Sequence, residues 1–296
     1  MNGHGSPRVL SIQSHVVSGY VGNKSAIFPL QVLGFEVDPI NSVQLSNHTG
    51  YKVFKGQILN EDDLNVLIDG LIENDLDHYT HLLTGYVGSA SFLKRIAQVV
   101  HSLKQKNPKL VYVCDPVMGD NGKMYVPEEL KDIYIKEIVP LADIITPNHF
   151  ELELLLGERI STMSDLKSSI KEIHELGPKT IAVSSSDIDE KLTSIVSTSK
   201  DDKMIKIEVP KIPAAYTGSG DLFAALFLAH SYLQDNVKTA LENTLNTLHD
   251  VLWNTYEFSQ SFKDPNTQKA RKIELRLIQS KKFIENPSQK LKAEIF

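Results

Sequence analysis

The residues best placed to do chemistry lie in Thr217-Gly218-Ser219-Gly220-Asp221-Leu222-Phe223-Ala224-Ala225. Two glycines flank a serine, an aspartate follows, and an apolar run from Leu222 to Ala229 begins at once. That run has no polar face and is too short to cross a bilayer, so it predicts a helix buried inside a domain. Gly218 to Asp221 then fall at its first turn. Free N–H groups there form an anion site, and glycines let a phosphate approach the backbone closely. An aspartate so placed can take a proton from a nucleophile while the amides hold the transferring group. The same residues also suit a plain glycine turn with an acidic first-turn residue that complements the helix dipole.

Two further stretches carry oxygen donors. In Val113-Cys114-Asp115-Pro116-Val117-Met118-Gly119-Asp120, Asp115 ends a strand that Pro116 stops. Asp115 and Asp120 offer the carboxylates a hard divalent ion needs beside a phosphate, or they mark an ordinary strand-ending turn. In Thr146-Pro147-Asn148-His149-Phe150-Glu151, Asn148 and Glu151 have a capping-box spacing, which leaves Glu151 free to hold a metal or its water as well. Gly19-Tyr20-Val21-Gly22-Asn23-Lys24-Ser25 is not the P-loop phosphate motif, because only two residues separate its glycines and Asn23 precedes Lys24. The histidines form no zinc pattern, His230 and His249 read as structural helix residues, and there is no nucleophile elbow.

The elements that must position these groups alternate. Strands are predicted at Arg8–His15, Phe35–Val43, His78–Leu83, Lys109–Cys114, Asp143–Ile145 and Thr180–Val183, the last ending in Ser184-Ser185-Ser186. Lys52–Ile58 reads as a strand leaving the main sheet, Leu192–Thr198 and Lys203–Val209 as a hairpin, and Glu274–Ile278 as a last strand. Helices fall at Asn23–Leu33, Glu61–Glu73, Phe92–Lys106, Leu130–Ile138, His149–Leu156, Asp165–Leu176 and about Val237–Phe258, with a polar loop at Lys263–Lys272. Repeated strand–helix units imply an α/β fold: a central, mostly parallel sheet with helices on both faces. Ligands in such sheets sit at the strands' carboxyl ends, where Ser14, Thr84, Asp115, Thr146, Asn148 and Ser184 collect.

No internal repeat or linker interrupts the 296 residues, so one domain is expected. The chain carries 31 basic and 37 acidic residues, a net charge of -6, and no basic stripe interleaved with aromatics, which argues against nucleic acid. A single cysteine, Cys114, excludes an internal disulfide and a cysteine-cluster metal site and fits a reducing compartment. Met1–Arg8 is polar without a signal-peptide core, and no run is long enough to span a membrane, so a cytoplasmic location is expected.

With these residues in view, the chain resembles the ribokinase superfamily, and within it the kinases of B6 vitamers, from Arg8 to its end. The resemblance is carried by Leu10–His15, Gly19–Asn23, Pro29–Gly34, Asn41–Gly50, Tyr112–Val117, Pro140–Asn148 and Gly218–Phe223, in that order. It implies ATP-dependent phosphorylation of the 5′-hydroxymethyl group of pyridoxal, and of pyridoxine and pyridoxamine, by a homodimer using Mg2+ and K+. By the same resemblance Ser14, Val21, His48, Thr49 and Tyr86 match acceptor-side positions. Asp115, Asn148, His149, Phe150, Glu151, Ser184, Ser185, Ile212, Pro213, Ala214 and Ser219 match nucleotide-side positions. Asp120 matches a magnesium position, and Asp115, Thr146, Glu151 and Ser184 the monovalent-cation neighbourhood. Gly218, Ser219 and Gly220 form the anion hole, and Asp221 matches the catalytic base.

The chain departs from the family in four places. Ser219 and Ser184 stand where threonine is usual, each keeping a hydroxyl. The Gly119–Tyr125 loop is shorter than in animal relatives, and Gly88-Ser89 lacks a charged pair expected after Gly85-Tyr86. Two other readings compete: a hydroxymethylpyrimidine kinase, distinguished by the region around Ser14, Val21 and Ser46–Thr49, and a non-catalytic nucleotide- or vitamin-binding protein, against which the intact Asp221 and its glycines weigh.

Overall fold

In the computed structural model, which describes residues 6–296 apart from 235 and 265, alternation along each central strand assigns every second side chain to one of two cores. The strands are β1 (Arg8–Val16), β2 (Glu36–Leu45), β4 (His81–Thr84), β5 (Val111–Cys114), β8 (Ile144–Ile145) and β9 (Thr180–Ile188). Leu10, Ile12, Leu82, Tyr112, Cys114, Ile145, Ile181 and Val183 face one core; Val9, Leu83, Val113, Ile144 and Ala182 face the other. These six strands run parallel in the order β2-β1-β4-β5-β8-β9. Chain connections diverge on either side of β1, which opens a crevice at the carboxyl ends.

On the first face pack α2 (Glu61–Glu73), α3 (Ala90–Lys106), α4 (Glu129–Ile133), α5 (His149–Leu156) and α6 (Met163–Glu175). On the second pack α1 (Asn23–Val32), α7 (Ser219–Leu233) and α8 (Val237–Ser259). The α7 helix is wedged between α1, α8 and the sheet, so Leu222 through His230 are all buried, as its missing polar face predicts. Among the described residues both ring nitrogens of His230 are buried without a partner, and burial pushes its pKa down to about 4, so it is a neutral core residue.

The sheet's edges are antiparallel. β3 (Gly56–Ile58) pairs with Val43–Leu45 of β2, so the predicted strand stays in the sheet as its outermost member. At the other edge β9, β10 (Lys191–Thr198), β11 (Ile205–Glu208) and β12 (Glu294–Ile295) follow one another. Several expectations are corrected. β9 does not end at Ser184-Ser185-Ser186 but runs to Ile188, and Asp189 and Glu190, both at positive φ, turn it into β10. The region predicted as a helix over 130–138 leaves α geometry after Ile133, with a widened turn at Tyr134–Ile138 and a tight one at Val139–Leu141, where Pro140 lacks an N–H.

A short helix α9 (Lys269–Lys272) sits in the expected polar loop. Glu274–Ile278 joins no strand among the described residues: Leu275 and Leu277 are buried against α7, α8 and α10 (Lys281–Glu285), so their alternation reports burial without a ladder. Within the expected Gly119–Tyr125 loop, a small hairpin, β6 (Gly119–Asp120) with β7 (Lys123–Met124), turns on Asn121-Gly122. Met1–Gly5, part of the expected leaderless start, lie outside the described residues. Among the described residues no helix is long and apolar enough to cross a membrane.

Candidate active site

The site is built where two glycine-led helices meet. α1 starts after Gly22 and α7 after Gly218, and neither start has a side-chain cap. Gly218 is left-handed, with φ 90°, and a Cβ on it would overlap the Tyr20 carbonyl and crowd Val21. Only glycine lets the two turns close to this distance. Ser25 Oγ donates to the Gly218 carbonyl at 3.0 Å, and the Gly22 N–H donates to Asp221 Oδ2 at 2.7 Å. Asp221 is thereby held at the crevice floor, while the first-turn N–H groups of α7 remain available to an anion. Burial raises its pKa, and the Gly22 hydrogen bond opposes that rise. The helix-end field therefore does not set the direction of the shift; desolvation does.

On one side of this turn lie the expected acceptor residues. Ser14 is buried at the end of β1, beside a register shift and against Gly22. His48 is buried, whereas Thr49 is exposed in the same loop. The loop's Gly50 adjoins Thr217: a Cβ there would stand 3.6 Å from Thr217 Oγ1. Tyr86, half-buried after β4, is held by its carbonyl, which accepts from Ser42 Oγ. The structure thus draws Ser14, Val21, His48 and Asp221 to one crevice side.

On the other side lie the acids. Asp115, at the end of β5, faces Gly220. Thr146 Oγ1 donates to Asp115 Oδ1 at 3.2 Å, and Ser184 N–H donates to the Pro147 carbonyl at 2.9 Å, which sets Ser184 beside that strand end. Asn148 caps α5 by accepting the Glu151 N–H at 2.9 Å, and its Nδ2 donates to the Gly119 carbonyl at 2.8 Å. Glu151 Oε2 accepts the Asn148 N–H at 2.9 Å and Oε1 the Met118 N–H at 3.0 Å. The capping box is real, and it also pins the strand end that carries Asp115.

Burial, then mutual repulsion with Glu151 and Asp221, pushes the Asp115 carboxyl well up. Burial also raises Glu151, against its backbone hydrogen bonds. No salt bridge among the described residues reaches Asp115, Asp120, Glu151 or Asp221. Carboxylates without a cationic side chain, Asp115 and Glu151 buried and Asp120 and Asp221 half-buried, set among hydroxyl and carbonyl oxygens, fit hard cations such as Mg2+ and K+.

Most of the remaining residues expected on the nucleotide side, together with Asp120, line two cavities. Asp120, His149, Phe150 and Ser185 line one of about 570 Å3. Pro213 and Ala214 line another of about 310 Å3, with Tyr256, Gln260 and Lys272. The Ala214 N–H donates to the Ile212 carbonyl at 2.7 Å, closing a tight turn. His149 is committed structurally: Nδ1 meets Ser186 Oγ at 2.8 Å and Nε2 the Ile160 carbonyl at 3.1 Å. Sequence reasoning missed the Gly22 N–H, Ser25 and Glu274. Glu274 lies in the segment read as a last strand, and nothing in its spacing announces a site.

An α/β crevice that sets an open helix start and Asp221 opposite a nest of acids without a cationic side chain is the architecture of a small-molecule kinase of the ribokinase-like class. A family model described as phosphomethylpyrimidine kinase matches residues 55–266. The pyridoxal kinase of Arabidopsis thaliana is 51% identical over 97% of this chain and 94% of its own, and that of Homo sapiens 45% identical over 97% and 98%. The solved pyridoxal kinase from Leishmania donovani in complex with ADP and pyridoxamine superposes with a TM-score of 0.89 at 35% identity, covering 98% of this chain and 99% of that one. The chain belongs to the phosphomethylpyrimidine kinase family and, within it, to the pyridoxal kinases.

Proposed function

We propose that this chain transfers the γ-phosphoryl group of ATP to the 5′-hydroxymethyl oxygen of pyridoxal, and likewise of pyridoxine and pyridoxamine. The observation that carries the reading is Asp221, set at an uncapped helix start between the two sides of the crevice. A primary alcohol is a poor nucleophile until its proton is shared, and Asp221 takes that proton. The alcohol oxygen forms a bond to the γ-phosphorus as the bond from that phosphorus to the bridging oxygen of ADP breaks. The Gly218–Gly220 turn stabilises the charge on the transferring group through its N–H groups. Ser14, Val21, His48, Thr49 and Tyr86 position the vitamer. Asn148, His149, Phe150, Ser184, Ser185, Ile212, Pro213 and Ala214 shape the nucleotide side.

Asp120 and Asp115 would hold Mg2+, and Asp115, Thr146, Glu151 and Ser184 would hold K+. Bound there, the cations neutralise phosphate charge. A cytoplasmic homodimer that binds neither nucleic acid nor membrane completes the reading. The exposed apolar side chains Val53, Phe54 and Ile58 along the β3 edge offer surface for a second copy. The test is to follow 5′-phosphate formation from each vitamer and from hydroxymethylpyrimidine with ATP. Turnover of the B6 vitamers is expected; turnover of the pyrimidine alone would overturn the reading, and light scattering that finds only monomer would remove the dimer.

A further inference from the structure

Glu274 reaches the crevice from the far end of the chain. Its Oε2 accepts the Tyr20 N–H at 3.1 Å, and its Oε1 accepts from Tyr51 Oη at 2.9 Å and stands 3.2 Å from His48 Nε2. The partners lie 254, 223 and 226 residues earlier in the sequence, by their numbers, on two separate loops. One loop carries Val21 and Gly22, whose N–H holds Asp221; the other carries His48 and Thr49 and adjoins Thr217. Gly19 makes the approach possible, since a Cβ on it would lie about 2.5 Å from Glu274 Oε1. The Gly50 N–H donates to His48 Nδ1 at 3.1 Å, so Nδ1 is the acceptor, the ring proton sits on Nε2, and Nε2 donates to Glu274. Leu275 and Leu277, buried on either side of Arg276, fix the segment that presents the carboxylate, and the Arg276 N–H donates to Thr255 Oγ1 of α8 at 3.1 Å.

We propose that Glu274 is a positioning residue for the phosphoryl acceptor: it staples the Gly19–Gly22 turn to the His48–Tyr51 loop and so sets the width of the vitamer side and the tautomer of His48. This rests on the kinase reading above. The stems of the two loops are already joined by the Val17 N–H to the Leu45 carbonyl at 2.8 Å and the Ser18 N–H to the Ser46 carbonyl at 3.0 Å, and Glu274 ties their tips, so removing it loosens both tips together, while the acids and cavities of the nucleotide side keep their own supports.

The experiment compares Glu274→Ala, Glu274→Gln and wild type by steady-state kinetics and by amide hydrogen exchange. For Glu274→Ala the KM for pyridoxal is expected to rise about tenfold or more, with the KM for ATP within about twofold. Exchange at the Tyr20 amide and across His48–Tyr51 should accelerate in the same variant. Glu274→Gln, which keeps one acceptor oxygen, should fall between. A pyridoxal KM within about twofold of wild type, or both KM values rising in step with lost thermal stability, would overturn the proposal. Should Glu274→Ala not fold, Tyr51→Phe removes one contact alone; an unchanged vitamer KM there would likewise overturn it. If wild type fails to phosphorylate any B6 vitamer, the kinase reading is what fails, and the exchange rates still decide whether the staple exists.

Discussion

Two helix starts face the same crevice and are finished in opposite ways. α5 is closed by its own side chains: Asn148 and Glu151 cap each other reciprocally, and Glu151 has both oxygens engaged by backbone N–H groups. α7 begins with a left-handed glycine and no side-chain cap. Its acid, Asp221, accepts one N–H on Oδ2 and has no further hydrogen bond among the described residues. Self-satisfaction makes the first start a structural anchor, and the second is left open for a ligand to complete. Acidic residues three positions past each N-cap look alike in sequence; their partners separate their roles.

The largest effect should come from breaking the open start. Asp221→Asn keeps size but cannot take the proton, and kcat is expected to fall about a hundred- to ten-thousand-fold with ATP affinity changed only a few-fold. A folded variant turning over near the wild-type rate would remove Asp221 as the base. In wild type, the base must be ionised, and burial raises its pKa. The acid limb of kcat/KM should therefore rise with pH through a value above the ordinary carboxylate range, and a limb at an ordinary value would contradict the desolvated site. Next in size is Gly218→Ala. Its φ of 90° and the Tyr20 carbonyl both forbid a Cβ, so the α1 and α7 turns must part. A loss of about tenfold or more in kcat/KM is expected, together with lower thermal stability.

Most of this frame can be read from residue order, because it is set by local rules. The central strands follow from period-two burial, and the Asn148–Glu151 box from its three-residue spacing. Asn121-Gly122 was equally readable as a hairpin turn. What the sequence did not disclose has a common cause: it depends on contacts between distant segments. Ser184–Ser186 look like a strand end because small polar residues often finish strands, yet Ser186 is buried inside β9, whose end is set by Asp189 and Glu190. Glu274 sits in a genuine alternation, Leu275 and Leu277 inward, that satisfies packing without a sheet. Its role is fixed by residues more than two hundred positions away, which no spacing rule can reach.

The closed start should answer to stability more than to rate. Asn148→Ala removes the α5 cap and the Nδ2 hydrogen bond to the Gly119 carbonyl. A cap is worth about 1 kcal/mol, so denaturant unfolding should show a loss of roughly that size. kcat should change less than with Gly218→Ala. A kcat loss as large as that of Asp221→Asn, with stability intact, would mean that Asn148 acts on the reaction itself and that the two helix starts are alike.

The smallest effect tests the acids between the two starts. Asp115 is raised by burial and then by repulsion from Glu151 and Asp221, and Glu151 by burial with repulsion from Asp120, so the folded chain holds their protons more tightly than the unfolded chain. Stability from that source is fully present below the unfolded carboxylate pKa and is lost as pH climbs through the raised folded values. A cation among these oxygens takes over from the proton, so its stabilising effect should grow as pH rises. Replacing potassium by tetramethylammonium at equal ionic strength should lower Tm by about 1–2 °C at pH 8 and by less at pH 5. An ion too large for the nest cannot substitute, whereas general screening acts alike for both salts. Equal Tm values in the two salts at pH 8 would show that Asp115, Thr146, Glu151 and Ser184 hold no monovalent ion, leaving the buried carboxylates protonated instead.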